Sequence, residues 1–275
     1  MRFNRFVVLP LALLALGALP ACSNEDDNNT PDSGTANPDS GTFEFPDAGA
    51  DPGTSPAGTC PAGAIICENF EQGTNGWTAS ETHATIQASN GRLHVVTENG
   101  HNEDTVPGGV QAIAKWEKSM PAFGTQLFVR AHVYMDSLPA VFGQMGTFFV
   151  LFSLDENDFG GLELQGISDR GIALDNWTGR GTGWNRSPTP VTAGLTARRW
   201  MCLEWEIRRA TATSSLGTAR AYVDSNLVYE FTDVGMRGFT RFTTGYGFVH
   251  PKGQSASETF IDNVVVSNIS RVGCL

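Results

Sequence analysis

Two stretches of this sequence alternate apolar and polar residues one by one, at positions 127–136 and 200–208. Successive side chains of a β-strand point to opposite faces, so this period of two predicts strands with one face in a core. Ten further short stretches of strand-forming residues are separated by turn residues, among them many of the 31 glycines. About twelve strands without a long amphipathic helix predict an all-β domain, an antiparallel sandwich or barrel, over residues 60–275.

The chain begins with a pattern typical of an exported protein. Two arginines precede an apolar run at 6–16, and the sequence LPAC follows at 19–22. This order resembles a bacterial lipoprotein signal peptide, residues 1–21, with Cys22 as the lipidated residue. We therefore expect export and a lipid anchor in the cell envelope. Ser23 favours the bacterial outer membrane. An ordinary secretory peptide with an incidental cysteine remains the alternative.

A segment of unusual composition separates this signal from the predicted domain. Residues 23–59 hold eight acidic residues and no Lys or Arg, and the unit Pro-Asp-Ser-Gly occurs twice. Such a segment has few apolar groups to offset the entropy of ordering, so residues 22–59 are predicted to be a disordered tether. The remaining part has 21 acidic and 16 basic residues within a chain of net charge −11, which provides no footprint for nucleic acid.

Four cysteines remain once Cys22 is set aside. An even number in an exported domain predicts two disulfides, and three connectivities are possible. We favour Cys60–Cys67, which closes a short loop, and Cys202–Cys274, which would hold the C-terminal tail on the 200–208 strand. Free thiols or a metal site are the alternatives, and the spacings fit no zinc pattern.

Three motifs together suggest a family. They are CENFEQG at 67–73, WMCLEW at 200–205, and FIDNVVV at 260–266 followed by RVGC at 271–274. Over about residues 60–275 the chain resembles the concanavalin A-like, laminin-G-like jelly rolls. More narrowly, it resembles bacterial relatives of the fungal cellulose-induced proteins, whose fold is shared with glucuronan lyases. The resemblance implies two curved antiparallel sheets, paired chain-terminal strands and a concave face that binds polysaccharide.

The polar side of the 127–136 strand carries candidate catalytic residues. Side chains on one strand face lie about 6.5–7 Å apart, which suits successive contacts with a sugar chain. A uronate lyase needs a group that neutralises the carboxylate, a base and an acid, and Arg130, His132 and Tyr134 have suitable side chains. A plain solvated sheet face is the alternative. Neighbouring strands and a glycine-rich loop would add the ligand-binding residues Gln165, Tyr246, His250, Trp177 and Trp184.

Two further carboxylate pairs are candidates. Glu204 and Glu206 lie on one strand face, so they would stand on the same side of a substrate, which does not suit a glycoside hydrolase. We assign them to ligand binding, with a salt-bridged face involving Arg208 or Arg130 as the alternative. Glu71 and Asp262 lie in strands expected to pair. They predict one structural calcium ion, which the resemblance also implies, or else a hydrogen-bonded aspartate.

The leading hypothesis is a surface-tethered lipoprotein whose β-sandwich binds extracellular polysaccharide. A uronate lyase that uses the same face is the alternative, and a structural or adhesive envelope protein is the third. We expect a monomer that contacts the membrane only through its anchor, binds no nucleic acid and needs no cofactor beyond the calcium ion.

Overall fold

The computed structural model describes residues 52–73, 76–98, 111–140, 144–168, 171–179, 181, 185–186, 194–249 and 254–274. The signal peptide, Cys22, most of the tether, Trp184 and His250 lie outside these residues. Within them, no helix is long and apolar enough to cross a membrane. The fifteen strands are β1 Ile66–Glu68, β2 Thr78–Thr82, β3 Ala84–Ser89, β4 Arg92–Thr97, β5 Ala112–Ser119, β6 Gln126–Met135, β7 Met145–Ser153, β8 Gly160–Ile167, β9 Ile172–Asn176, β10 Asn185–Arg186, β11 Trp200–Arg209, β12 Leu216–Val223, β13 Asn226–Gly235, β14 Arg241–Phe248 and β15 Ser257–Ser267.

The strands form two antiparallel sheets that pack face to face, so the predicted all-β sandwich is confirmed. Sheet A has the order β13-β12-β11-β6-β15-β4-β3, with β1 added beside β15. Sheet B has the order β10-β9-β8-β7-β14-β5-β2. The apolar sides of both sheets meet in one core, in which Trp205, Phe242 and Phe149 are fully buried.

The two strands with the clearest alternation lie side by side in the middle of sheet A. Strand β6 pairs with β11 so that Ala131 faces Leu203 and Arg130 faces Glu204. The apolar set of β6 is buried in the core, as the period of two predicts. Its polar set therefore points to the outer side of sheet A.

The chain-terminal strands pair, as the resemblance implies. Ile66 of β1 lies opposite Val266 of β15, while the first half of β15 pairs with β4. A bulge follows Asp262, where Asn263 adopts a φ of 53°. A bulge bends a strand locally and re-aims its side chains.

Both predicted disulfides are present. The Cα atoms of Cys60 and Cys67 lie 5.7 Å apart, and those of Cys202 and Cys274 lie 5.9 Å apart. The second bond joins the tail that follows β15 to strand β11. It closes a sequence separation of 72 residues.

Residues 52–59, which we name the strap, lie across the outer side of sheet A. Trp200 Nε1 donates to Pro52 O (3.1 Å), Asn263 Nδ2 to Pro56 O (2.9 Å) and Arg130 Nη2 to Thr59 O (3.3 Å). The predicted tether therefore ends earlier than residue 59. Amino-acid composition does not predict the position of the strap, because the strap is held through its backbone carbonyls. These carbonyls accept hydrogen bonds from side chains of sheet A.

Candidate functional site

The strap and the C-terminal tail cover the side of β6 that was predicted to be an open groove. Arg130 and His132 are each 1% exposed, and Tyr134 is half-buried. The strap accepts a hydrogen bond from Arg130, and Pro56 lies beside His132 at a cavity of about 300 Å³. The predicted open groove on β6 is therefore wrong, because the alternation locates a polar face but does not show what covers it.

The pKa of the buried His132 lies well below the ordinary value of a histidine. Burial in this cavity, followed by the positive charge of Arg130, lowers the pKa of His132 to about 4, although Asp224 opposes the shift. The imidazole is therefore neutral at physiological pH. Its Nδ1 atom has no hydrogen-bond partner among the described residues.

Glu204 and Glu206 belong to ion pairs, the alternative given for them above. The Glu204 carboxylate accepts from Arg271 through Nε (2.9 Å) and Nη2, and from Gly273 N (3.0 Å). Glu206 pairs with Arg208 and accepts from Tyr222 OH (3.3 Å). These contacts hold the C-terminal tail and the neighbouring strands on the outer side of sheet A.

The proposed partners of the β6 face lie in the other sheet. Gln165 is on β8 and Tyr246 on β14, both in sheet B. Tyr246 points into the core, where its ring packs 5.2 Å from that of Phe148 and 5.5 Å from that of Phe248, and burial raises its pKa strongly. A single groove shared by Tyr134, Gln165 and Tyr246 is therefore excluded.

The outer side of sheet B, which we name the sheet B face, carries a cluster of polar side chains. Strand register places Thr147 of β7 beside Gln165 of β8. Val150 of β7 pairs with Glu163 on one side and with Thr243 of β14 on the other, so these three residues form one row across the sheet. Gln165 Nε2 donates to Thr147 Oγ1 and to Glu163 Oε2, both at 3.2 Å. Thr147 Oγ1 donates to Glu163 Oε2 at 3.1 Å. Thr147, Glu163 and Gln165 thus form a connected hydrogen-bond network on the adjacent strands β7 and β8, and Thr243 lies on the next strand, β14.

Burial dominates the electrostatics of this network. Desolvation raises the pKa of Glu163, and Asp175 adds to that rise. Lys115 and the hydrogen bonds from Thr147 and Gln165 act in the opposite direction. Lys115 of β5 lies opposite Gly245 of β14. Because glycine has no side chain, Gly245 places no group between the lysine and the cluster. Glu163 therefore keeps its proton to a higher pH than an exposed glutamate does.

Two atoms of the sheet B face lack partners. Gln165 and Thr243 are each 1% exposed although their side chains point away from the core. Gln165 Oε1 and Thr243 Oγ1 have no hydrogen-bond partner within the described part of the chain. A buried polar atom without a partner costs free energy, and such atoms occur where water or a ligand completes the network.

The sequence contained part of this site. Gln165 was predicted as a ligand-binding residue, but on a strand beside β6. The alternation Leu162, Glu163, Leu164, Gln165 is consistent with the polar face that β8 presents in sheet B. Lys115, Thr147 and Thr243 were missed. The register of their strands includes a bulge between Thr147 and Phe149, which no local pattern predicts.

A second polar pocket lies where the strap meets the chain-terminal strands. Glu71, Asn90 and Asp262 line about 310 Å³ together with Ser55 of the strap. Asp262 accepts hydrogen bonds from Ser55 Oγ and from Asn263 N (2.6 Å). Burial raises the pKa of Asp262, and the charge of Glu71 adds to the rise. Two carboxylates, an amide and a hydroxyl are ligands that Ca²⁺ accepts, so the residues fit the predicted ion.

The architecture is that of a concanavalin A-like jelly roll. Cellulose-induced protein Cip1 matches with a TM-score of 0.54 and 14% identity, over 76% of this chain and 100% of that chain. An alginate lyase, Aly36B, solved as a double mutant with alginate tetrasaccharide, matches with a TM-score of 0.50 and 14% identity, over 75% and 97% of the two chains. Alginate lyase vAL-1 from Chlorella virus matches with a TM-score of 0.50 and 11% identity, over 74% and 99%.

These likenesses show the fold. No protein-family model and no curated protein sequence matches the chain.

Proposed function

We propose that the sheet B face binds an extracellular polysaccharide. The observation that carries this proposal is that Gln165 Oε1 and Thr243 Oγ1 are buried without a hydrogen-bond partner among the described residues, beside the hydrogen-bonded Glu163. Sugar hydroxyls both donate and accept hydrogen bonds, so they can complete such a network. The outer side of sheet A is closed by the strap and the C-terminal tail, which leaves sheet B as the candidate.

Two donor groups of the sheet B face suit a uronate polymer, although they lie beside the carboxyl groups of Glu163 and Asp175. The ammonium group of Lys115 and the amide of Gln165 can both donate to a uronate carboxylate. The raised pKa of Glu163 limits the repulsion between its carboxyl group and an anionic sugar. The alginate tetrasaccharide bound by the structurally similar lyase supports the same ligand class.

The test measures affinity on a defined panel. We expect the isolated domain to bind alginate, β-1,4-glucuronan or cellohexaose in calorimetry, and Gln165→Ala to weaken that binding by at least about tenfold. Gln87→Ala is the matched control, because Gln87 lies on β3 of sheet A. Equal affinity of both variants and the wild type would refute the proposed face.

A uronate lyase is the second candidate. Elimination needs a neutralised carboxylate, a base and an acid. Gln165, Lys115 and Glu163 are side chains of these kinds on one face. The described residues contribute no histidine or tyrosine to that face, however, which favours binding over catalysis. Appearance of an unsaturated, ultraviolet-absorbing product from alginate or glucuronan, lost in Lys115→Ala, would establish the lyase.

We also propose that the domain is exported and attached by lipid at Cys22, in the outer membrane as Ser23 suggests. Two or more acyl chains give stable attachment, whereas a single chain gives marginal binding. Cys22→Ser is expected to release the protein from membranes. A wild-type protein recovered without lipid and with a different N-terminus would refute the anchor.

The calcium site is proposed on Glu71 and Asp262, with Ser55 and Asn90 as further oxygen ligands. A bound ion would neutralise the two carboxylates and fix the strap to the sheet. An ion at a hundredfold excess over its Kd stabilises the native state by about 2.7 kcal/mol. Chelator should therefore lower the melting temperature of the wild type and leave Asp262→Asn unchanged. A wild-type melting curve that chelator does not move would argue against the site.

A further inference from the structure

One end of the sheet B face is aromatic. Phe152 points outward from β7, and Trp177 follows β9 on the same side. Phe159 precedes β8. The ring centroids of Phe152 and Trp177 lie 6.4 Å apart, and those of Phe159 and Trp177 lie 5.6 Å apart. We name these three side chains the aromatic shelf.

A glycine seats the central ring on the sheet. Trp177 N donates to Gly161 O at 3.1 Å, so the two residues are neighbours on adjacent strands. A Cβ atom at Gly161 would overlap the Trp177 ring and would lie 2.8 Å from Leu151 O. The indole therefore lies against the backbone of β8. Its Nε1 atom has no acceptor among the residues that the structure describes.

The loop that carries Phe159 is held in place. Asp158 accepts from Arg237 Nη1 (3.1 Å) and from Gly238 N (2.6 Å). Within the loop, Asp158 N donates to Asp155 O (2.9 Å). Phe159 nevertheless remains 54% exposed. A fixed loop that presents a large apolar ring to solvent provides a preorganised contact surface.

The shelf is continuous with the polar cluster. Gly161, Glu163 and Gln165 point outward in turn along β8, and such neighbours lie about 6.5–7 Å apart. The shelf therefore begins one such step from Glu163 and two from Gln165. A polysaccharide held at the polar cluster and running along β8 would place a later sugar on the aromatic rings.

We propose that Phe152, Phe159 and Trp177 form a stacking subsite for a pyranose ring of the polysaccharide. The inference rests on the proposed function of the sheet B face and adds a second contact region to it. The apolar C–H side of a pyranose packs on an aromatic face, while the sugar hydroxyls remain free for hydrogen bonds. The subsite makes affinity depend on the length of the ligand.

The experiment uses the full chain and alginate oligosaccharides from disaccharide to hexasaccharide. Phe159→Ala is expected to weaken binding of the hexasaccharide by about tenfold and to leave binding of the disaccharide at the polar cluster unchanged. Leu154→Ala is the matched control, because Leu154 is also 54% exposed in the same loop but lies outside the ring cluster. Ligand-induced quenching of tryptophan fluorescence should disappear in Trp177→Leu.

The outcomes separate the two proposals. Loss of length-dependent affinity in Phe159→Ala, but not in Leu154→Ala, supports the subsite. If Phe159→Ala binds every oligosaccharide like the wild type while Gln165→Ala does not, the subsite is refuted and the polar binding face stands. If the wild type binds none of the oligosaccharides, the subsite is refuted for this ligand class, and the wider panel decides the proposed function.

Discussion

Replacing Glu204 with glutamine removes the negative charge that Arg271 pairs with and keeps the size and shape of the side chain. The carboxylate is 2% exposed and accepts three hydrogen bonds, two from Arg271 and one from Gly273 N. Hydrogen bonds to charged groups contribute about 1.5–3 kcal/mol each when a partner is removed. Breaking a fully buried pair costs about 3–5 kcal/mol, but the Arg271 side chain is 33% exposed and can be rehydrated.

We therefore expect Glu204→Gln to lower the free energy of unfolding by about 2–3 kcal/mol. For a domain of this size, that loss lowers the melting temperature by about 5–10 °C. Urea denaturation followed by tryptophan fluorescence measures the change. Arg199→Ala is the control, because its ion pair with Asp224 is exposed on both sides and contributes about 0–1 kcal/mol. Equal effects of the two substitutions would show that Glu204 does not hold the tail.

Three further predictions concern stability. Gly161→Ala should destabilise the domain by about 1–3 kcal/mol in urea denaturation, because the added Cβ overlaps the Trp177 ring; an unchanged midpoint would contradict the close packing. Replacing Cys202 and Cys274 with alanine should cost about 4 kcal/mol, the chain-entropy value for a loop of this length, and a loss below 1 kcal/mol would show a tail held by Glu204 alone. Because the folded state raises the pKa of Glu163, its contribution is favourable below the unfolded pKa, about 4.3, and is lost as pH rises through the folded pKa. Glu163→Gln should flatten this part of the stability profile, measured by thermal melts from about pH 4 to pH 8, and an unaltered profile would count against a raised pKa.

Local patterns predicted the centre of the fold but missed the edge strands β2 and β3. Strands β6 and β11 have neighbours on both sides and one buried face, so their apolar residues alternate strictly. Strand β2 lies at the edge of sheet B, and all five of its residues are exposed. Its sequence therefore carries no burial signal. Strand β3, at the edge of sheet A, alternates only through Ala84 and Ile86.

The sequence indicates polar faces on two strands, β6 and β8, but does not show that these strands lie in different sheets. The polar residues of β6 and the polar pair on β8 give the same kind of signal in sequence. The strap and the tail cover the polar residues of β6 through contacts more than 60 residues away in sequence, such as Thr59 with Arg130. Such long-range contacts depend on tertiary packing, which a period of two does not encode. The disulfides were predictable because cysteine count and spacing left few choices.

The strap gives the domain two unlike sides. Pro52 lies against Trp200 on the outer side of sheet A, away from the sheet B face. The tail bonded to Glu204 ends on that same side. A force applied directly at residue 52 would therefore act on sheet A, the sheet that does not carry the aromatic shelf. A rigid support coupled at residue 52 in a binding assay should leave the aromatic shelf on the side away from the support.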